Sequence, residues 1–483
     1  MDGTGNPWLR VEIGIRGGRI AAIGRLGQAS ARTTIDAADR LVTPGFIDVH
    51  THAAEGLARP QLKQGQPLLA QGVTTIVANP DGGGPVDLAA QRLALEKGGL
   101  GPNVALLIGH GSVRGAVMRS DNRAPTGEEL DRMRALVRRG MEQGAFGLSS
   151  GLFYVPGSFA TTEEVIELAK IAGEFGGVYT SHVRDEADYN IGVVASVQEV
   201  IRIADEAHLT GVVSHMKALG PDNWGLSLAM TRRIDAARAR GVQVFADQYA
   251  YEASSTSLRA ALLPGGVQLA PAGDVAQQEA VAAIARENLR RRGGAGAIQI
   301  ASYSPDRSLE GKTLAQIAEA RGADPVKAAL DLLARGNASI VSFNMSEQDI
   351  EHIMRQAYTM TSSDGGLGLL TEGKPHPRNY GAFARKIARY VRDRHILSLE
   401  SAIRSMTTLP ALVFGMKDRG ILREGAVADI AIFDPAKIQD RATYTDPHQL
   451  AEGMSYVLVN GVVVVEEGKF TEARPGLVLL KPR

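Results

Sequence analysis

At 483 residues, with 44% hydrophobic and 22% charged residues, the chain is globular rather than disordered; it is too long for one small core, and about two to three domains, or one barrel with an appendage, are expected. Its 53 lysines and arginines balance its 53 aspartates and glutamates, which leaves no global basic field for nucleic acid or an anionic membrane, so a small molecule is the expected partner. The absence of cysteine excludes disulfides, thiolate metal ligands and cysteine nucleophiles together.

The opening Met1-Asp2-Gly3-Thr4-Gly5-Asn6 is not a signal peptide, and no run of about eighteen apolar residues follows, so the chain as written reads as cytoplasmic. Asp2 to Pro7 is strong turn sequence, and the strands after it, 10–16 and 19–23 around Gly17-Gly18, call for a pairing partner before that turn. A lost first strand, by truncation or a misplaced start, is therefore expected. Residues 8–43 alternate apolar and polar positions in short segments with glycine turns, an antiparallel β pattern.

From residue 46 the texture changes to strands alternating with amphipathic helices. Strands are predicted at 46–52, 73–79, 103–109, 145–149, 178–182, 211–215 and 242–248, and helices at 86–97, 127–143, 162–175, 191–207 and 228–240. Such a succession of parallel βα units predicts an α/β fold, a closed (β/α)8 barrel rather than a doubly wound sheet, with its eighth strand at 357–363. The intervening stretch, about 254–350, holds helices at 274–292 and 323–335 and a strand at 297–302; it reads as an insertion between strands seven and eight that covers the barrel mouth. Helices at 381–394, 398–405 and 409–414 close and leave the barrel, and short alternating strands at 430–433, 455–459 and 462–465 end the chain. Neither β-rich end has enough strands for a core of its own, so the two should form one small β-sandwich, giving domains 1–43, 44–414 and 415–483.

Barrel active sites lie at the C-terminal ends of the strands. The first strand runs through Pro44-Gly45-Phe46-Ile47-Asp48-Val49-His50-Thr51-His52, and the period of two places His50 and His52 on one face. The fifth ends in Ser181-His182, the sixth in Ser214-His215 and the eighth in Ser363-Asp364-Gly365. Any one of these histidines alone suits a structural role; together, at equivalent strand ends, they predict a metal site. Among the others, His110 in Gly109-His110-Gly111 is read as a support for the ligands in preference to a turn residue, and His208, His352, His376, His395 and His448 lack this placement. Imidazole and carboxylate ligands without sulfur suit zinc, one or two ions, with iron, nickel, cobalt and manganese left open. Asp364 is placed to accept a proton from water and return it to a leaving amine, in preference to capping a turn before Gly365-Gly366.

At these residues the chain resembles the amidohydrolase superfamily and, within it, the N-acyl-D-amino-acid deacylases, the D-aminoacylase family. The resemblance runs over nearly the whole chain: besides the first-strand motif it rests on Gly147-Leu148-Ser149-Ser150-Gly151-Leu152, Ser181-His182-Val183-Arg184-Asp185-Glu186, Ser214-His215-Met216-Lys217, Ser363-Asp364-Gly365, His376-Pro377-Arg378-Asn379-Tyr380-Gly381 and Glu424-Gly425-Ala426-Val427-Ala428-Asp429. It implies a metal-dependent barrel that hydrolyses the amide of N-acyl-D-amino acids. The family pattern places a metal-binding cysteine after an asparagine at the end of the second strand; this chain has Asn79-Pro80-Asp81-Gly82 there. Either Asp81 supplies an oxygen instead, or the site binds one metal through His182 and His215 with less help. No lysine stands at the end of the fourth strand to be carboxylated.

The free carboxylate of such a substrate needs cationic and hydroxyl donors. Arg378 offers a bidentate fork, and Lys217 lies two residues past His215 on the same face. Tyr154 and Tyr249 match family positions that resemble carboxylate contacts, and ordinary loop packing suits them equally. Arg184, Asp185 and Glu186 read as an ion-pair network around His182 or as a solvated charge run. The expected reaction is hydrolysis of a linear amide. The alternatives are a dipeptide, cyclic amide or lactone at the same centre, or a non-catalytic barrel scaffold.

Overall fold

The computed structural model describes residues 1–27, 29–271 and 273–482. Eight parallel strands ring the centre: β1 (Phe46–Asp48), β2 (Val73–Ala78), β3 (Asn103–Leu106, resuming as Ile108–Gly109), β4 (Gly147–Gly151), β5 (Val178–His182), β6 (Thr210–Val213), β7 (Val244–Gln248) and β8 (Thr359–Thr361). Each pairs with its neighbour in sequence order, and the ring closes where the Asp364 amide donates to His50 O at 2.8 Å and the His52 amide to Gly365 O at 2.8 Å. Every residue of β2, β4, β5 and β7 is buried, as expected of strands covered on both faces. The chain is thus an α/β protein built on the barrel that its alternation of elements predicts.

The barrel has a seam that local pattern does not reveal. The first half of β3 pairs with β2 on one side and with a two-residue strand from the far C-terminus, Val478–Leu479, on the other; only its second half reaches β4. Two paired residues are too few to carry a period. A helix at His110–Met118, directly after β3, was also not predicted, because three of its first seven residues are glycine or serine. The next helix, Gly127–Glu142, begins in a capping box: Thr126 Oγ1 accepts from the Glu129 amide at 3.2 Å, and Glu129 accepts from the Thr126 amide at 2.8 Å.

Between β7 and β8 the chain builds a separate antiparallel sheet from Ser254–Ser257, Ser339–Ser342 and Ile298–Ser302, in that order across the sheet. Helices Leu258–Leu262, Val275–Arg291, Leu314–Ala320 and Pro325–Arg335 cover it around an apolar cluster of their own that includes Leu262, Leu289, Ile300, Ile317 and Leu332. The strand Ser254–Ser257 escapes sequence reading because four hydroxylic residues show no apolar alternation.

At the other side of the barrel, Leu41–Pro44 joins Ile430–Phe433, Met454–Val459, Val462–Glu466 and Lys469–Phe470 in one sheet. The hairpin Glu12–Arg16 and Arg19–Gly24 packs on it, sharing a cluster of Ile20, Ala428, Ile432, Tyr456 and Leu458. The hairpin finds its partner late in the chain: the Ile20 amide donates to Ala426 O at 2.9 Å and the Gly425 amide to Ile20 O at 2.8 Å. No helix among the described residues is long and apolar enough to cross a membrane.

One buried cation in the outer layer yields a pH prediction. Lys386 Nζ donates to Thr361 Oγ1 and Ser405 Oγ, each at 2.9 Å, and burial pushes its pKa down to about 7. The unfolded chain keeps the ordinary value near ~10.4, so between about pH 7 and 10 it binds more protons than the folded protein, and the penalty on the folded state shrinks as pH rises. Lys386→Met removes the penalty and leaves the two hydroxyls paired to each other at 3.0 Å. The variant is expected to melt above wild type at neutral pH, with the gap narrowing toward about pH 10. A gap constant with pH would rule this account out.

Candidate metal centre

The strand ends converge because backbone groups of neighbouring loops hold them. β1 stops at Asp48, shorter than predicted, and its buried carboxylate accepts from the amides of Ser363 (3.0 Å) and His50 (3.3 Å), tying the β1 end to the β8 end. Burial raises the Asp48 carboxyl to about 7, against the pull of those bonds. This support was missed from sequence, where Asp48 reads only as part of an apolar strand. His215 lies past the end of β6, and its amide donates to Asp247 of β7 at 2.9 Å. After β2, Ser149 Oγ donates to Asn79 O at 2.7 Å and accepts from the Gly82 amide at 3.2 Å, which swings the intervening Asp81 inward. Asp81, His215 and Asp364 all have positive φ, at 56°, 33° and 48°. Left-handed backbone in three non-glycine residues of one cluster is strain held by the surrounding scaffold, a pattern that concentrates at functional sites.

The four histidines meet around Asp81. Its Oδ1 is 3.3 Å from His50 Nε2 and 3.6 Å from His215 Nε2; its Oδ2 is 3.4 Å from His52 Nε2 and 3.8 Å from His182 Nδ1. Asp364 Oδ1 lies 3.6 Å from His50 Nε2 and 3.3 Å from His52 Nε2. Ligand atoms ~2.0–2.2 Å from a shared tetrahedral ion stand about 3.3–3.6 Å apart, which is the spacing of most of these pairs. Moreover, His50 Nε2, Asp81 Oδ1 and both ring nitrogens of His182 are buried and make no hydrogen bond among the described residues. Orphaned buried lone pairs are costly, and a cation satisfies them. The donor set therefore fits a divalent metal, with imidazole and carboxylate in the proportion that suits zinc.

A second grouping joins His182, His215 and Glu186, with Glu186 3.1 Å from His215 Nδ1 and 3.7 Å from His182 Nε2. His215 Nε2 faces Asp81, while its Nδ1 faces Glu186 and lies 2.6 Å from the Lys217 ammonium. Within the predicted charge network only Glu186 serves His182: Arg184 pairs with Glu199 at 2.8 Å, and Asp185 accepts from the amides of Ala187, Asn190 and Gly192. His110 also departs from expectation. It pairs with Glu164 at 3.0 Å, beside Arg114, and supports a helix rather than the ligands.

The remaining predicted residues stand around the same mouth. Except for His50 and His215, which lie beneath its floor, all the predicted site residues line one cavity of about 1190 Å³. Arg378 begins the helix Arg378–Arg385, with Nη1 2.7 Å from Asp364 Oδ2 and its guanidinium 4.7 Å from the centre of the Tyr249 ring. Lys217 Nζ is 2.5 Å from Glu186 and 2.6 Å from His215 Nδ1, so its charge is already answered within the protein. Tyr154 packs on His182 at 4.7 Å between ring centres and reaches Thr256 of the inserted sheet at 3.2 Å. Burial opposes charge on Asp81 and Asp364 alike. The positive field of His50 and its neighbours nevertheless holds Asp81 well below the usual carboxylate range, and Arg378 and His215 do the same for Asp364. Burial opposes charge on Lys217 too, and Glu186 outweighs it and keeps the ammonium protonated.

Comparison with known proteins adds relatives to this geometry. The profile described as Amidohydrolase family matches residues 33–465. D-aminoacylase of Alcaligenes xylosoxydans xylosoxydans is 36% identical over 506 residues, spanning 100% of this chain and 96% of that protein. The crystal structure of N-acyl-D-glutamate deacylase from Bordetella bronchiseptica, complexed with zinc and a phosphonate mimic of the tetrahedral intermediate, matches with 37% identity and a TM-score of 0.84 over 99% of this chain and 97% of that one. A crystal structure of D-aminoacylase matches with 34% identity and a TM-score of 0.86 over 100% of this chain and 98% of that one.

Proposed function

The chain belongs to the amidohydrolase family, and on that premise we propose that it is a metal-dependent deacylase that hydrolyses N-acyl-D-amino acids to a carboxylate and a D-amino acid. The observation that carries the reading is the ring of four imidazoles around Asp81, at ligand-to-ligand spacing and with orphaned lone pairs, beside a carboxylate and a guanidinium at the same mouth.

His50, His52, His182, His215 and Asp81 would hold the ion. When bound, a divalent ion supplies Lewis acidity, acidifying water and polarising the scissile carbonyl. Asp364 is the acid–base group: it takes the proton of the attacking water and hands it to the departing nitrogen. What supports this role is its position, with Oδ1 toward His50 and His52 and Oδ2 beside Arg378, and a field that keeps it ionised. Arg378, with Tyr249 against its plane, is the main contact for the substrate carboxylate, and Tyr154 lines the acyl or side-chain path. Lys217 contributes long-range charge more than a direct contact, because Glu186 already holds it. As to domains, residues 1–43 and 415–483 form one β-sandwich, apart from Val478–Leu479, which joins the barrel at β3; 44–414 form the catalytic barrel and about 254–350 its insertion, and the apolar cluster shared by the two chain ends supports that division.

Because Arg378 also anchors Asp364, Arg378→Ala is expected to raise KM by about tenfold or more and to lower kcat as well, the mixed pattern of a residue serving both binding and a reacting group. Steady-state kinetics separate the two, and an unchanged KM would remove Arg378 from the carboxylate contact. The function itself is tested with a panel of N-acetyl-D- and N-acetyl-L-amino acids, dipeptides and lactones on the metal-loaded enzyme. A D over L preference of at least about a hundredfold in kcat/KM is expected. Turnover of lactones or dipeptides without turnover of any N-acyl-D-amino acid would overturn it.

A further inference from the structure

His376 stands in the cavity wall, 2% exposed, with both ring nitrogens engaged by backbone groups. Nδ1 accepts from the Arg378 amide at 3.0 Å, and Nε2 lies 2.9 Å from Ala253 O. An amide only donates and a carbonyl only accepts, so one neutral tautomer, with its proton on Nε2, satisfies both. Burial, together with the neighbouring Arg378 charge, holds this imidazole well below its usual range. Its ring packs edge-on against Tyr251 and Tyr444, each 5.2 Å away between ring centres.

What these bonds hold is the start of the helix Arg378–Arg385. Arg378 is its first residue, and a helix leaves its first amides without partners of its own. Here His376 answers two of them: its ring takes the Arg378 amide, and its backbone oxygen takes the Asn379 amide at 3.2 Å. Pro377 lies between, with φ restricted by its ring, so the backbone from which the Arg378 side chain departs has little freedom. The guanidinium has less to hold it. Its Nε and Nη1 are buried and make no hydrogen bond among the described residues; Nη1 faces Asp364 Oδ2 at 2.7 Å, and the group rests 4.7 Å from the centre of the Tyr249 ring. Such donors suit an entering carboxylate, and where they stand is decided by the backbone beneath them. Through Nε2 the same imidazole ties that backbone to Ala253, the residue before the inserted strand Ser254–Ser257. Resting on the deacylase reading, we propose that His376 is a positioning residue that acts through the Arg378 amide to set the guanidinium for the substrate carboxylate.

Two substitutions separate the two bonds. His376→Asn puts a carbonyl oxygen near the place of Nδ1, where it accepts from the amide two residues on, and gives up Ala253; His376→Gln reaches Ala253 O with its amide nitrogen and gives up the Arg378 amide. Steady-state kinetics are run on the carboxylate-bearing compound of the panel that the metal-loaded enzyme cleaves fastest. His376→Gln is expected to raise KM by about tenfold, with a smaller change in kcat, while His376→Asn stays within about threefold of wild type. In an Arg378→Ala background His376→Gln should add less than about a further twofold. A merely structural role would lower Tm in either background and would not sort the two variants by KM. Equal KM in the two variants, the reverse order, or an effect of His376→Gln that persists without Arg378 overturns the proposal. Should the glutamine variant not fold, a rise in KM of about tenfold in His376→Asn overturns it, and a KM within about threefold sustains it. An N-acyl-D-amino acid cleaved with KM unchanged in both variants overturns this role alone. The expected pattern on a dipeptide or an N-acetyl-L-amino acid, with no N-acyl-D-amino acid cleaved, sustains the role and overturns the deacylase reading; a panel in which no carboxylate-bearing compound is cleaved overturns both.

Discussion

Replacing Asp364 by asparagine is expected to lower kcat by ~10²–10⁴, the range that general acid–base catalysis supplies, while the protein keeps its fold and most of its metal. Asparagine has the same size and, like aspartate, tolerates the left-handed backbone found at this position, where φ is 48°. Its carbonyl oxygen takes the place of the carboxylate oxygen beside Arg378 Nη1, so the local packing survives. What it loses is the ability to take a proton from water and release it to an amine. KM should move little, because Arg378 keeps its place over Tyr249. The measurement is kcat together with metal content by elemental analysis. A variant that keeps more than about a third of wild-type kcat with metal in place would move the acid–base role to another group.

Asp81→Ala is expected to lower metal content, or the affinity measured by competition with a chelator, by at least about tenfold, with turnover falling in parallel. The reason is geometric. Among the described residues Asp81 is the one carboxylate that faces all four histidines, with Oδ1 toward His50 and His215 and Oδ2 toward His52 and His182. Removing it takes away both oxygens and a negative charge from a cluster whose imidazoles, among the described residues, otherwise meet no carboxylates but Asp364 and Glu186. Asp81→Asn keeps an oxygen but not the charge and should fall between wild type and alanine. If Asp81→Ala binds metal and turns over like wild type, the four imidazoles suffice and the proline and aspartate after Asn79 carry no metal role.

Much of this protein is legible in the chain because it is encoded locally. The 3.6- and 2-residue periods between 46 and 248 give the order of strands and helices, and parallel βα units of that number close into a barrel. Barrel chemistry gathers at the strand ends, so His50, His52, His182, His215 and Asp364 could be picked out from their positions at the ends of four strands. Composition likewise predicts that no thiolate takes part.

What the tertiary structure alone decided depends on residues far apart in sequence, whose pairing leaves no local period. The two-residue strand Val478–Leu479 beside β3, the Ser254–Ser257 strand and the docking of the first hairpin on residues 425–426 are of this kind. So is the inward turn of Asp81, which rests on Ser149 of a different strand. Charges show the limit most clearly. From spacing, Lys217 is a free cation beside His215 and Arg292 one of three arginines in a row; in the fold Lys217 is neutralised by Glu186, and Arg292 is buried over the Tyr189 ring with no carboxylate partner among the described residues. Spacing fixes which face a side chain leaves from, but desolvation and the nearest opposite charge are set by whichever distant segments pack against it, and those terms decide what the group can bind.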